Sequence, residues 1–159
     1  MMLHDLNRLR LMTDERIRIC GMTRKEAGAT QMMKIGPKGV FNVRLCDYLN
    51  LISRLGIQPS SFIACWENGE GISNCTYLHF EGTYISKEKI AAYILAFLEE
   101  SLDTKGIGRL ANALDMEKDV LLKLLKRSGN GRDHNLRTIV ELLSRADLKL
   151  SDLLRFIER

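Results

Sequence analysis

The sequence has few residues that break regular structure, with 2 prolines and 12 glycines among 159 residues. With 45% hydrophobic and 28% charged residues, its composition is that of an ordinary globular protein and argues against disorder. No stretch approaches the roughly 18 apolar residues that a membrane-spanning helix needs. Charged residues such as Arg8 and Arg10 stand where a signal peptide would have its apolar core, so we expect a cytoplasmic protein.

Metal sites and catalytic motifs are also missing. The four cysteines are separated by 26, 19 and 10 positions, which excludes the Cys-x-x-Cys spacing of zinc knuckles and redox sites. The three histidines have no serine, cysteine or paired carboxylate at a motif spacing, and neither GPKG nor SGNG ends in the Lys-Ser/Thr of a phosphate-binding loop. We therefore expect reduced thiols, no metal, no cofactor and no enzymatic activity.

Charge is unevenly distributed along the chain. Residues 1–65 contain ten Lys/Arg and five Asp/Glu, a net +5, and residues 102–159 contain twelve and nine, a net +3. The stretch between them, residues 66–101, contains two and six, a net −4. Two basic units joined by an acidic connector suit nucleic-acid binding, because neutralising phosphates supplies most of the sequence-independent affinity. The alternative interpretation is ordinary solvated helix surface.

An internal repeat organises the chain. The stretch from Leu45 to Ile63 aligns without gaps on the stretch from Leu136 to Leu154, at an offset of 91 positions. In both copies the apolar residues recur at helical spacing, so each copy is predicted to be an amphipathic helix, a short turn and a second helix. Ser60 and Ser151 stand where the N-cap of that second helix is expected. The identical pairs are Leu45/Leu136, Leu51/Leu142, Ser53/Ser144, Arg54/Arg145 and Ser60/Ser151.

Three further helices are predicted before the second copy. The first extends from Ser86 to Leu102, with Ile90, Ile94, Phe97 and Leu98 on one face. A shorter one over 107–114 is followed, after a break at Asp115-Met116, by a helix over 117–126 with Val120, Leu121, Leu124 and Leu125 pointing inward. Two short helices joined by a tight break and followed by two closing helices are the layout of a helix-turn-helix domain.

These residues resemble the lambda-repressor-like (Cro/repressor) helix-turn-helix family. The resemblance rests on Leu110-Ala111 in the second helix, Glu117 at the start of the recognition helix and Leu148-x-Leu150-Ser151 entering the last helix. SGNG at 128–131 and ADLKLS at 146–151 are similar to the addiction-module antidote branch. Asp115 departs from the pattern, since the family usually has a turn glycine there.

The resemblance implies an all-α protein with two tandem five-helix helix-turn-helix domains. We expect these domains at residues 1–65 and 86–159, joined by a connector over 66–85 with short strands or a hairpin. The connector's alternating aromatic residues are equally compatible with a packed linker.

Two arrangements of the first domain are possible. In the favoured one, helices over 3–12 and 14–20 precede a turn at Gly21, and Thr23 begins a recognition helix that extends to Lys34. Thr23 and Glu26 have the spacing of a capping box. In the other arrangement the helix that starts at Thr23 is the second one, which leaves a very short recognition helix before Pro37. Length favours the first arrangement.

The favoured arrangement places Arg24, Lys25, Gly28 and Gln31 on the outward face of the recognition helix. Arginine reads guanine and glutamine reads adenine in the major groove, while basic residues nearby hold phosphates. Leu122 is expected to be exposed and to bind a partner chain. The residues predicted to contact DNA are Thr23, Arg24, Lys25, Gly28, Gln31, Lys34, Lys38, Arg44, Lys118, Lys123, Lys126, Arg127, Arg132 and Arg137.

The functional hypothesis is a sequence-specific regulator of transcription that binds double-stranded DNA, as a homodimer or as a pseudo-dimer within one chain. The alternative is a protein-interaction module, such as an antitoxin or a phage-encoded inhibitor, that uses the same fold to bind a protein, for example a toxin. A third possibility is a nonspecific nucleic-acid-binding protein.

Overall fold

The computed structural model describes residues 6–33, 41, 43–70, 78–80, 82, 84–126 and 134–159. Every regular element in that part is a helix, which confirms the all-α class. No helix there is long and apolar enough to cross a membrane. The eight helices are α1 (Leu6–Ile19), α2 (Leu45–Arg54), α3 (Pro59–Glu67), α4 (Ile90–Ser101), α5 (Ile107–Ala113), α6 (Lys118–Lys126), α7 (Leu136–Ser144) and α8 (Leu150–Ile157).

Helices α4 to α8, the second half of the chain, lie close to their predicted positions. The helix predicted from Ser86 begins at Ile90, and its predicted inward face, Ile90, Ile94, Phe97 and Leu98, is buried. Both copies of the repeat form the predicted pair of helices, α2 with α3 and α7 with α8. Periodicity was sufficient here because each helix buries one continuous apolar stripe.

The first half of the chain, α1 to α3, differs from the favoured arrangement. One helix, α1, covers the region where two helices were predicted. Thr13, near the expected break, is buried and bonds to the carbonyl of Leu9 and the hydroxyl of Tyr48, 2.8 and 2.7 Å away. Gly21 ends α1 with a φ of +72°, and Met22 N–H returns to the carbonyl of Ile17 at 3.2 Å. Gly21 is therefore a helix terminus, not the turn before a recognition helix.

The recognition helix predicted from Thr23 to Lys34 is also wrong over its described residues. The capping box forms, since the Thr23 hydroxyl accepts the N–H of Glu26 and the Glu26 carboxylate accepts the N–H of Thr23, both at 3.1 Å. Gly28 then interrupts the helix with a φ of +71°, and Ala29 N–H bonds to the carbonyl of Arg24 at 2.8 Å. Residues 23–33 form two short turns and no helix, so neither arrangement has its predicted helix there.

A continuous hydrophobic core extends across both halves of the chain, from Leu6 to Leu154. Its centre is the contact between α3 and α8, the most extensive helix pair in the described part. Phe62, Ile63 and Trp66 of α3 and Leu153 of α8 are fully or almost fully buried. The halves thus share one interior.

Reciprocal hydrogen bonds join the two ends of α3 and α8. The Glu158 carboxylate, after α8, accepts the backbone N–H of Ser60 at 3.1 Å and the Ser60 hydroxyl. The Glu67 carboxylate, at the end of α3, accepts the N–H of Ser151 at 3.1 Å and the Ser151 hydroxyl. Both Ser60/Ser151 and Glu67/Glu158 are 91 positions apart. Neither serine is an N-cap, because α3 and α8 each begin one residue earlier.

A second reciprocal pair lies where α2 and α7 begin. Leu45 N–H bonds to the carbonyl of His134 at 2.6 Å, and Leu136 N–H bonds to the carbonyl of Val43 at 2.7 Å. Between these bonds Arg44 and Asn135 form an antiparallel bridge, and they too are 91 positions apart. Exchanging the copies converts each bond into its mate, so the copies are related by a pseudo-twofold axis.

The end of the connector packs on the first copy of the repeat. Gln58 N–H bonds to the carbonyl of Leu78 at 2.8 Å, and Phe80 N–H bonds to the carbonyl of Gly56 at 3.1 Å. The described connector residues contain one isolated bridge, Ile57 with His79, and no longer strand. Residues 71–77, where strands were also predicted, lie outside the described part.

The connector also reaches the second copy through Tyr84. The Tyr84 hydroxyl donates to a Glu158 oxygen at 2.6 Å, and Gln58 Nε2 donates to the other oxygen at 2.7 Å. Burial, and then the hydrogen bond to this carboxylate, raise the pKa of Tyr84 far above its usual range. Glu158 thus accepts four hydrogen bonds, one each from Tyr84 and Gln58 and two from Ser60.

Two cysteines, Cys20 and Cys46, form no disulfide. Cys65 is disulfide-bonded, so the expectation of a reduced thiol is wrong at this position. Disulfides persist mainly in oxidising compartments. The cytoplasmic location therefore stays a prediction.

Replacing the two glutamates should affect stability unequally. We expect Glu158→Gln to lower the free energy of unfolding by about 2 to 3 kcal/mol and Glu67→Gln by about 1 to 2 kcal/mol, because hydrogen bonds to a charged group are the strong ones. Urea denaturation measures both. Glu141→Gln, which removes an exposed ion pair with Arg137, is the control and should cost less than about 0.5 kcal/mol. Equal costs for Glu67 and Glu158 would contradict the expectation.

Tyr84→Phe should reduce the sensitivity of the protein to alkali. The folded protein holds the Tyr84 proton more tightly than the unfolded chain, whose tyrosines ionise near pH 10. This contribution to stability is complete below about pH 10 and is lost as the pH rises further. In urea denaturation at about pH 8 and pH 11, the stability gap between wild type and variant should therefore narrow at the higher pH. A gap that stays constant or widens would refute the assignment.

Candidate nucleic-acid interface

The second half of the chain contains two short helices joined by a tight turn, α5 and α6. Leu110, Leu114 and Leu121 anchor them in the core. Asp115 makes the turn with a φ of +53°, and Met116 N–H bonds to the carbonyl of Ala111 at 2.9 Å. This turn fixes the start of α6 relative to α5, and residues 117–120 at that start are exposed.

Arg145, the residue directly after α7, holds the turn between α5 and α6. Arg145 Nη1 donates to the carbonyl of Leu114 at 3.3 Å and to that of Asp115 at 3.0 Å. Helix-ending carbonyls lack partners within their own helix, so a guanidinium suits them. Arg145 thus fixes the turn from outside.

An equivalent contact from an arginine to a turn carbonyl occurs in the first half. Arg54, the repeat equivalent of Arg145, donates through Nη2 to the carbonyl of Ala27 at 3.4 Å. Gly28 follows Ala27 with a positive φ, as Asp115 follows Leu114. Gly28 is therefore the counterpart of Asp115, whereas the favoured arrangement predicted the turn of the first half at Gly21. The sequence contained the signal, because Arg54 and Arg145 are identical in the repeat.

A groove of about 570 Å³ lies beside this turn and reaches the pseudo-twofold axis. It brings together three residues predicted to contact DNA, Gly28, Gln31 and Arg44. It also contains Asn135, the repeat equivalent of Arg44, which sequence reasoning missed. The residues that line it are Gly28, Gln31, Met32, Val43, Arg44, Asp47, Asn50, Arg54 and Asn135.

Arg24 lies outside this groove and is already engaged. Its Nε donates to Asp14 Oδ1 at 2.8 Å, and a second bond joins Nη2 to Oδ2. The hydrogen bond from Arg24 lowers the pKa of Asp14, and the same bond raises the pKa of Arg24. Base reading by Arg24 would require breaking this pair. Lys25 is exposed, and the hydroxyl of Thr23 is used in the capping box.

In the second half, Lys118 and Lys123 are exposed on α6, as predicted. Arg137 Nε donates to Glu141 at 3.2 Å along α7. Leu122 is half-buried and Val120 is 49% exposed, so the predictions of an exposed Leu122 and an inward Val120 are both wrong. Lys34, Lys38, Arg127, Arg132 and the side chain of Lys126 lie outside the described part.

The described residues contain no cluster of histidine, cysteine and carboxylate side chains suited to a metal ion. Comparison with family models, with curated proteins and with solved structures finds no match.

Substitutions at Asp115 should show that its backbone conformation, and not its side chain, matters for stability. At a positive φ, glycine is tolerated and alanine is strained, so Asp115→Gly should be more stable than Asp115→Ala by about 1 kcal/mol. Asp119, in the first turn of α6, is the control. There the order should reverse by about 1 kcal/mol, because glycine is the poorer helix former. Thermal or urea denaturation of the four variants measures this; the same order at both positions would contradict the turn assignment.

Proposed function

We propose that the chain is a regulator that binds double-stranded DNA in a sequence-specific manner through paired helix-turn-helix elements. The observation that carries the proposal is the junction of α5 and α6 at Asp115, held by Arg145 and repeated at Gly28 with Arg54. Two short helices crossing at a fixed turn, with the second one exposed at its start, are the arrangement that places a helix in the major groove.

Charge and shape support a duplex as the ligand. The major groove is about 12 Å wide and accepts an α-helix of about 10 to 12 Å diameter. Exposed Lys118 and Lys123 lie on α6, and Lys25 is exposed just before the Gly28 turn of the first half. Both basic regions found in the sequence thus carry one of the two elements.

Gln31 and Lys118 are the proposed base-reading residues, since each stands three positions after the turn residue of its half. Both are exposed. Glutamine pairs with adenine and lysine with guanine in the major groove. Arg44 and Asn135, both exposed at the pseudo-twofold axis, are placed to contact the sugar-phosphate backbone between the two reading elements. Arg24 is assigned to stabilising the first half through Asp14.

The second candidate is a protein-interaction module. The observation that favours it is the start of α6, where exposed Glu117 and Asp119 adjoin exposed Val120. Negative charges repel phosphates, and an apolar side chain suits a protein partner. A titration with DNA separates the two candidates.

Affinity for duplex DNA should fall at least about tenfold between roughly 50 and 200 mM salt, because bound lysines release counterions from phosphates. Fluorescence anisotropy with a mixed pool of duplexes measures this. Lys123→Ala should reduce the slope of log affinity against log salt by about one. Lys87→Ala, an exposed lysine before α4, is the control and should leave the slope unchanged. Absence of binding at low salt would favour the protein-interaction candidate.

A further inference from the structure

We infer that a single chain binds a complete operator, made of two inverted half-sites that differ in sequence. This inference rests on the proposed function and specifies its DNA ligand. Of the two arrangements considered from the sequence, a homodimer and a pseudo-dimer within one chain, it selects the pseudo-dimer.

The hydrogen bonds that pair the two halves are reciprocal. Two backbone hydrogen bonds on either side of Arg44 and Asn135 exchange with each other under the pseudo-twofold operation. The bonds of Ser60 with Glu158 and of Ser151 with Glu67 exchange in the same way. Bonds of this kind are what an isologous interface between two identical subunits contains.

The interface between α3 and α8 is already formed within one chain. Ser60 and Ser151 are at most 5% exposed, and their N–H and hydroxyl groups are bonded to the two glutamates. Phe62 and Leu153, on the contacting helices, are fully buried. The surface through which separate copies would form this dimer is therefore already buried between the two halves of one chain.

The proposed base-reading residues lie on either side of the pseudo-twofold axis. The groove next to the first-half turn contains both Gln31 and Asn135. The pseudo-twofold operation pairs Gln31 with Lys118 and Asn135 with Arg44 across the Arg44–Asn135 bridge. We therefore expect the second-half element to lie on the other side of this bridge. Both elements consequently flank one centre, as two half-sites flank the centre of an operator.

The two base-reading elements differ in shape and in chemistry. In the first half a short turn carries Gln31, whereas in the second half a nine-residue helix, α6, carries Lys118. The centre is also unequal, with Arg44 on one side and Asn135 on the other. A perfect palindrome would therefore match one half of the chain better than the other.

The experiment is selection of bound duplexes from a random pool by the full chain, followed by native mass spectrometry of the complex. We expect one chain per duplex and two inverted, non-identical half-sites with centres about 10 base pairs apart. Two chains per duplex, or a perfectly palindromic operator, would overturn the inference and leave the proposed function intact. Failure to enrich any sequence would overturn the proposed function and the inference together.

Two matched variants assign the half-sites. Gln31→Ala should reduce base discrimination roughly 5- to 150-fold in one half-site only, and Lys118→Ala should do so in the other only. Circular dichroism checks that both variants remain folded. If both substitutions relax the same half-site, or both half-sites equally, the inference is wrong.

Discussion

The structure depends on two carboxylates that complete the helices of the opposite repeat copy. Neither α3 nor α8 has a side-chain N-cap of its own. The first N–H groups of a helix need partners, and the positive end of the helix dipole favours an anion. Glu158 supplies that anion to α3 and Glu67 supplies it to α8. Each copy is incomplete without the other, which explains why the two share one core.

The connector makes this symmetric arrangement unequal. Asn50 of α2 holds the backbone of Tyr84 and Ile85 through three hydrogen bonds of 3.0 to 3.3 Å. Tyr84 is thereby positioned to donate to Glu158, and no equivalent segment is shown at Glu67 in the described part. At one end of the interface, Glu158 therefore accepts hydrogen bonds from both the first copy and the connector. At the other end, Glu67 accepts them from Ser151.

Periodicity predicted the helices of the repeat and of the second half because their apolar stripes are local features of the sequence. The same reasoning failed for the first half. Gly21 and Gly28 are both glycines with positive φ, and only the contact from Arg54, distant in sequence, identifies the second as the counterpart of Asp115. The pairing of Arg24 with Asp14 has the same character. Tertiary contacts decided each of these points.

The site was predictable to the same extent. Gln31, Gly28 and Arg44 were identified from residue type and spacing, and the structure places them in one groove. Asn135 was missed because its importance comes from the bridge to Arg44. The expected faces of α6 were misassigned at Val120 and Leu122, since the direction of a short helix follows from its packing on neighbours.

Residues with positive φ stand at corresponding turns of the two halves, with glycine in the first half and aspartate in the second. Gly21, Gly28 and Gly56 in the first half match Asp103, Asp115 and Asp147 in the second, and all six have positive φ. Glycine adopts this conformation without strain but leaves the unfolded chain more freedom, whereas aspartate is strained when folded and restricts the unfolded chain. Glycine therefore reduces stability by lowering the free energy of the unfolded chain, and aspartate reduces it by raising the free energy of the folded protein. The two halves thus keep the same backbone turn with different residues, whose effects on stability arise in different states.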